Sequence, residues 1–108
     1  MFVQAWVPEN NAAGELYCTD RATRVGRTPG KLFNSQIMPV SNATIKGWLW
    51  YQGEQNGANP GNYLNKSGYA CLLPALADSW HHAFRKGSCS DPDFPIGVVS
   101  LHGWCGEE

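Results

Sequence analysis

The 108-residue sequence contains little charge and no long apolar run. Charged residues make up 16% of the chain, the formal net charge is −1, and the eight basic residues are scattered rather than clustered. A nucleic-acid-binding surface or a contact with an anionic membrane needs a basic patch, so neither partner is expected. A spanning helix needs roughly 18 consecutive apolar residues, and the sequence has no such run. The composition therefore predicts neither nucleic-acid nor membrane partners.

The sequence also lacks the usual motifs of metal sites and of serine nucleophiles. Its four cysteines include no Cys-x-x-Cys pair, which argues against zinc. His81 and His82 are neighbours that would point about 100° apart on a helix, so we interpret both as helix surface. His102 has no visible partner and is interpreted as structural. No Gly-x-Ser-x-Gly elbow is present, and we expect no metal and no cofactor.

Two N-glycosylation sequons favour a secreted context in which the cysteines pair. They begin at Asn42 and Asn65. Four cysteines allow three connectivities, which the sequence leaves open. Because Cys71 falls in a predicted helix, we expect one bridge between Cys89 and Cys105. The opening residues lack the basic start of a secretory signal, and the simplest interpretation is that the chain is a piece of something longer.

Hydrophobic patterning predicts an α/β domain behind a loop-rich approach segment. Residues 1–30 are punctuated by Gly, Pro and Asn and predict loops, with one short strand at residues 2–7. The pattern then predicts helix, strand, long loop, helix and strand, at residues 31–40, 44–51, 52–62, 63–85 and 96–101. In the second helix, apolar residues recur at threes and fours and predict one apolar stripe: Tyr69, Leu72, Leu73, Leu76, Trp80 and Phe84. Pro74 predicts either a kink or a break in this helix. Two strands joined by a helix imply parallel pairing, and a parallel sheet of two strands leaves faces uncovered, which again suggests a piece of a larger domain.

The apolar run from residue 45 to 51 ends abruptly in Gln52, Gly53 and Glu54. In open α/β sheets ligands bind beyond the carboxyl ends of strands. The run therefore places an amide, a point of close backbone approach and a carboxylate where a site is expected. A simpler reading of Glu54 is a solvated loop residue or a cap for backbone N–H groups. Five tryptophans could build a sugar-stacking surface, but three of them fall on core-like positions: Trp48, Trp50 and Trp80.

Four sequence blocks resemble those of a known protein family, a similarity that composition and spacing alone do not show. They are Leu32-Phe33-Asn34-Ser35-x-Ile37-x-Pro39, Ile45-Lys46-Gly47-Trp48-x-Trp50-Tyr51-Gln52-Gly53-Glu54-x-Asn56, Tyr69-x-Cys71-x-x-Pro74-Ala75-Leu76-x-Asp78-x-Trp80 and Phe94-Pro95-Ile96-Gly97. In this order they resemble the middle of the sialate O-acetylesterase family, within the wider SGNH-type esterases. The resemblance implies a partial three-layer α/β/α sandwich with parallel strands, in a partial esterase domain over residues 31–108.

The resemblance also implies a reaction. A carboxylic-ester hydrolase of this kind removes acetyl groups from sialic acid hydroxyls through a serine acyl-enzyme. Gly53 would bring a backbone N–H to the oxyanion, while Gln52 either adds its side-chain amide or orients the loop. Glu54 either orients a catalytic base or binds substrate hydroxyls, and Asn56 binds substrate hydroxyls. The implied partner is acetylated sialic acid or another acetylated sugar, and the implied location is extracellular or lysosomal.

Two blocks of that family have no match among these residues: the Gly-Gln-Ser-Asn-like block with the nucleophile and the Asp-x-x-His-like block with the base. We therefore expect these 108 residues alone to have no esterase activity. Two alternatives stay open. One is a non-catalytic carbohydrate-binding remnant that keeps the sugar-facing loop. The other is a related carbohydrate acetylesterase acting on another polysaccharide, because the Gln-Gly-Glu motif is shared more widely than the four blocks together.

Overall fold

The structure, a computed structural model, combines short helical segments, one long helix and a small sheet. It describes residues 3–18, 29–53, 67–86, 89–91 and 93–100. Helix α1 spans Ser67–Arg85, strand β1 spans Trp48–Trp50 and strand β2 spans Ile96–Val98. Three short helical segments precede them: the 3-10 helix Val3–Trp6, the π-helical segment Phe33–Ile37 and the 3-10 helix Met38–Val40. Within the described part of the chain, no helix is both long and apolar enough to cross a membrane.

Strands β1 and β2 pair in parallel, with α1 between them in the chain. This confirms the predicted α/β class and parallel pairing for the described residues. Both strands are shorter than predicted, because a strand continues only where a partner supplies a hydrogen-bonding ladder. Before β1 the chain is instead held by a turn bond from Ala43 N to Val40 O and by a bond from Ile45 N to Ser90 Oγ. The predicted end of β2 at residue 101 lies outside the described residues.

Helix α1 follows the predicted apolar stripe and ends at the predicted residue, Arg85. The predicted start at residue 63 lies outside the described residues. Pro74 lies within the helix, where it removes one backbone donor, and α1 nevertheless continues past it. Pro74 is exposed, so water can reach the carbonyl that loses its donor. The stripe buries side chains three and four residues apart: Leu72, Leu76, Trp80, Ala83 and Phe84.

The N-terminal segment, residues 3–18, begins with a helical turn where a short strand was predicted. Residues Val3–Trp6 form a 3-10 helix, and the carbonyl of Gln4 accepts bonds from the N–H groups of Val7 and Gly30. No strand among the described residues pairs with this segment, and its carbonyls instead accept bonds within the turn and from Gly30. Val3 and Val7 are almost fully buried and join the same core as α1. The predicted helix at residues 31–40 is helical throughout, although its turns are mainly π and 3-10 rather than α.

A disulfide joins Cys18 to Cys71 and fastens the N-terminal segment to α1. The Cys89 thiol is exposed and free, so the expected bridge between Cys89 and Cys105 is wrong. Cys105 itself lies outside the described residues. The expectation failed because it treated a helix position as unsuited to a bridge, whereas the half-buried Cys71 on α1 lies next to Cys18.

Candidate functional site

The carboxyl end of β1, where the sequence predicts a site, is held in place by hydrogen bonds to residues on either side of β2. The N–H of Trp48 donates to the carbonyl of Pro95 at 3.2 Å, and just past β2 the N–H of Val99 donates to the carbonyl of Trp50, the last residue of β1, at 2.9 Å. Gly47 makes the first contact possible, since a Cβ there would lie 2.8 Å from the Pro95 oxygen, and its φ of 155° disfavours other residues. Residues 51–53 therefore leave the sheet from a fixed position.

Four tryptophan rings pack beneath β1 and hold its inner face. Trp48 stacks on Trp80 with ring centroids 4.0 Å apart, and Trp50 meets Trp6 edge to face at 6.0 Å. The Trp80 indole also donates to the carbonyl of Trp6 at 3.0 Å. These contacts agree with the prediction that Trp48, Trp50 and Trp80 occupy core positions. Rings packed in this way fix the strand and leave these three tryptophans unsuited to stacking against a sugar.

Gln52 and Gly53 lie just past the carboxyl end of β1 and are half-buried. Gly53 has a φ of 146°, in the region that favours glycine. The Tyr69 hydroxyl, near the start of α1, donates to the backbone carbonyl of Gln52 at 2.8 Å and lies 3.4 Å from its side-chain Oε1. The same hydroxyl accepts a bond from the Trp50 indole at 3.1 Å. The strand end and the helix start are thus joined through one hydroxyl group.

The other residues predicted for the site are placed less fully. Glu54, Asn56 and Asn65 lie outside the described residues, as does His102. Asn42 is exposed, in a turn after the 3-10 helix Met38–Val40. The roles assigned to Gln52, Gly53, Glu54 and Asn56, and the glycosylation of Asn42 and Asn65, therefore stay predictions.

The two adjacent histidines have different environments. His81 is half-buried, its Nε2 lies 2.8 Å from the Phe94 carbonyl, and its ring packs on the Phe94 ring at 4.3 Å. Because a carbonyl only accepts, this nitrogen carries the proton. His82 is exposed, as predicted, whereas His81 is not the free surface residue that was predicted, since it packs against Phe94. Among the described residues no group of three or more His, Cys, Asp or Glu side chains is arranged to hold a metal ion.

A cavity of about 410 Å³ lies away from the strand end, and its lining does not include Gln52, Gly53 or Tyr69. Next to it the Tyr17 hydroxyl donates to Asp78 Oδ2 at 3.3 Å. Burial, together with the negative charge and hydrogen bond of Asp78, raises the pKa of Tyr17 from 10.0 to about 12. Tyr17 therefore stays a protonated donor at neutral pH. The cavity is lined in part by Asn10, Asn42, His82 and Lys86.

Sequence reasoning missed the part that Tyr69 plays at the strand end. Its place in the helical stripe identified Tyr69 as a core residue, and it does pack against the core. The available signal was its hydroxyl, since a buried tyrosine needs a hydrogen-bond partner. The hydroxyl alone does not reveal which residues it bonds, because residues 50 and 52 lie beside residue 69 only where the strand packs against the helix.

Comparison with known proteins finds similarity to sialate O-acetylesterases. The chain is 40% identical over 79 residues to the sialate O-acetylesterase of Rattus norvegicus, which covers 71% of this chain and 14% of that protein. It is 43% identical over 72 residues to the enzyme of Homo sapiens, covering 65% of this chain and 13% of that protein. The chain thus spans about one seventh of the length of these relatives. No family model matches the chain, and no solved structure matches it significantly.

Proposed function

The chain is a relative of the sialate O-acetylesterases, and we propose that it forms the oxyanion side of an acetylesterase site. In the complete protein, this site would remove acetyl groups from the hydroxyls of sialic acid through a serine acyl-enzyme. The observation that carries the proposal is the position of Gln52 and Gly53. In a chain 40–43% identical to these enzymes, both residues follow the carboxyl end of a parallel strand, where α/β sheets place their ligands.

The proposed chemistry follows from what acyl transfer requires. Attack of a serine on the acetyl carbonyl creates a negatively charged oxygen, which is stabilised by donors that already point at it. The Gly53 N–H would be one such donor, and the Gln52 side-chain amide would be the second or would orient the loop. We propose Glu54 for orienting the base or binding substrate hydroxyls, and Asn56 for binding hydroxyls. The nucleophile and the base would come from blocks that these 108 residues do not contain.

A second candidate, which the sequence leaves open, is a carbohydrate-binding remnant without turnover. Incubation of the purified chain with 4-nitrophenyl acetate should give no burst and no acylated serine, whichever candidate is right. A longer product separates the two candidates. Only the esterase proposal expects acetate release once the coding sequence on both sides of this frame is included. Glycan binding by that longer product without acetate release would favour the second candidate.

The longer product also tests the roles of individual residues and the substrate. We expect it to release acetate from acetylated sialic acid faster than from acetylated xylan; the reverse order would indicate an esterase for another polysaccharide. If Gln52 supplies a donor, Gln52→Ala should lower kcat roughly 10²- to 10³-fold. Gln36→Ala is the matched control, since Gln36 is an exposed glutamine in the π-helical segment Phe33–Ile37. Equal kcat values for both variants would contradict the donor role.

We also propose that β1 and β2 belong to a three-layer α/β/α sandwich. Helix α1 and the N-terminal segment cover one face of these strands, while the other face leaves Leu49 80% and Tyr51 68% exposed. Parallel sheets are normally covered on both faces. A second helical layer, supplied by the rest of the longer protein, would bury these side chains. Protection of Leu49 and Tyr51 from solvent labelling in the longer product would support this arrangement.

An extracellular or lysosomal location is the last part of the proposal. The Cys18–Cys71 disulfide supports it, because such bonds persist in oxidising compartments. Asn42 lies exposed in a turn, where a glycan could be accommodated. Expression through a eukaryotic secretory pathway should give a product whose mass falls on Asn42→Gln and on Asn65→Gln. An unglycosylated product with reduced cysteines would count against this location.

A further inference from the structure

We propose that Tyr69 is a positioning residue that aims the Gly53 N–H. The effect on catalysis rests on the function proposed above, whereas the effect on the Gln52–Gly53 peptide does not. Tyr69 lies on α1 and Gln52 lies past the end of β1, so two separate elements fix this peptide. The hydroxyl is well suited to the task because it can accept one hydrogen bond and donate another.

The geometry of the peptide group carries the inference. The Tyr69 hydroxyl donates to the carbonyl of Gln52 at 2.8 Å. That carbonyl and the Gly53 N–H belong to the same planar unit, and no peptide bond in the described residues is cis. In a planar trans peptide the C=O and N–H groups point in opposite directions. Holding the Gln52 oxygen toward Tyr69 therefore turns the Gly53 N–H away from α1 and fixes its direction.

The second bond of the hydroxyl strengthens the first. The Trp50 indole donates to the Tyr69 oxygen at 3.1 Å, and Trp50 is itself buried in the tryptophan cluster. Accepting this bond polarises the hydroxyl, which makes it a better donor to the Gln52 carbonyl. A carbonyl that accepts a bond in turn polarises the N–H of its own peptide. The chain of bonds thus increases the donor strength of the Gly53 N–H as well as setting its direction.

The same hydroxyl constrains the Gln52 side chain. Its carboxamide oxygen lies 3.4 Å from Tyr69 Oη and shares the single hydroxyl proton weakly with the backbone carbonyl, so the amide nitrogen, on the other branch of the group, points away from the hydroxyl. The two donors proposed for the oxyanion, the backbone N–H and this amide, are therefore both directed away from Tyr69. A phenylalanine at position 69 would fill the same space in the core but would provide neither constraint.

The test uses NMR spectra of the isotope-labelled 108-residue chain and its Tyr69→Phe variant. Loss of the accepted bond should move the Gln52 carbonyl ¹³C resonance upfield and shift the Gly53 amide proton. Tyr51→Phe is the matched control, and Trp50→Phe should change the Gln52 carbonyl less than Tyr69→Phe does. Shifts no larger than those of the control would overturn the proposal.

A second measurement applies even if Tyr69→Phe does not fold. In wild-type protein in mixed H₂O and D₂O, a hydroxyl held in two hydrogen bonds exchanges slowly and splits its Tyr Cζ resonance. We expect this splitting for Tyr69 and not for the exposed Tyr51; its absence at Tyr69 would refute the bonded hydroxyl. Neither experiment needs esterase activity. A longer product that shows the splitting but releases no acetate would therefore reject the proposed function and leave the positioning role standing.

Discussion

Breaking the Cys18–Cys71 disulfide is expected to lower the free energy of unfolding by about 4 kcal/mol. The bridge joins cysteines 53 positions apart. In the chain-entropy model, releasing a loop of this length returns roughly 14 cal/mol/K to the unfolded chain, about 4 kcal/mol at 25 °C. Small domains have about 5–15 kcal/mol of stability in total. The double variant Cys18→Ser/Cys71→Ser should therefore lose a large share of its stability.

Urea unfolding followed by tryptophan fluorescence measures this loss directly. The four packed rings, Trp6, Trp48, Trp50 and Trp80, join the N-terminal segment, β1 and α1, so their emission should change when these elements separate. The unfolded state of the double variant is less compact, because it lacks the cross-link. We therefore expect a lower midpoint and also a steeper dependence of the unfolding free energy on urea.

Cys89→Ser is the matched control, since the Cys89 thiol is exposed and free. Its unfolding free energy should stay within about 0.5 kcal/mol of wild type, as for other surface substitutions. The reasoning fails if the double variant also stays within that range. It fails equally if peptide mapping of the oxidised chain finds Cys89 in the bridge in place of Cys18 or Cys71.

Three further predictions, tested with five substitutions, concern the two strands and the cavity rim. Gly47→Ala should lower the unfolding free energy by about 1–3 kcal/mol in urea titrations. Gly97→Ala should cost less, because a Cβ at Gly97 meets only the tip of an exposed leucine side chain. Trp50→Phe should cost more than Trp48→Phe, because the buried Trp48 indole N–H has no partner among the described residues. Burial, and to a smaller extent the nearby Asp78 carboxylate, raises the pKa of Tyr17 from 10.0 to about 12. The free energy of unfolding should therefore fall as pH rises from 10 to 12, and Tyr17→Phe should remove that fall.

Periodicity was sufficient to predict the elements that form the frame of the site. The stripe that includes Leu72, Leu76 and Trp80 marked α1 correctly, because one helical face must be buried against the core. The apolar run ending at Gln52 marked β1 and its polar end. A helix between two strands was enough to predict that they run parallel, since the chain must return before it can pair again.

Contacts between distant segments could not be predicted in this way. Residues 3–7 are apolar enough for a strand, but no partner strand lies beside them, and they form a helical turn on α1 instead. The pairing of Cys18 with Cys71 depends on where that turn docks. In both cases the outcome was set by tertiary packing, which local propensity does not describe.

The strand end itself combines both kinds of information. The Gln52–Gly53 pair is visible in the sequence, but its direction depends on Tyr69 and on the contact between Gly47 and Pro95. An oxyanion donor contributes roughly 10²- to 10³-fold to kcat only when its direction is already fixed, and only when a nucleophile is present. These residues hold the peptide without supplying the nucleophile. Loosening them in the longer product should therefore lower kcat while leaving KM nearly unchanged, because the donors act on the oxyanion rather than on the bound ester.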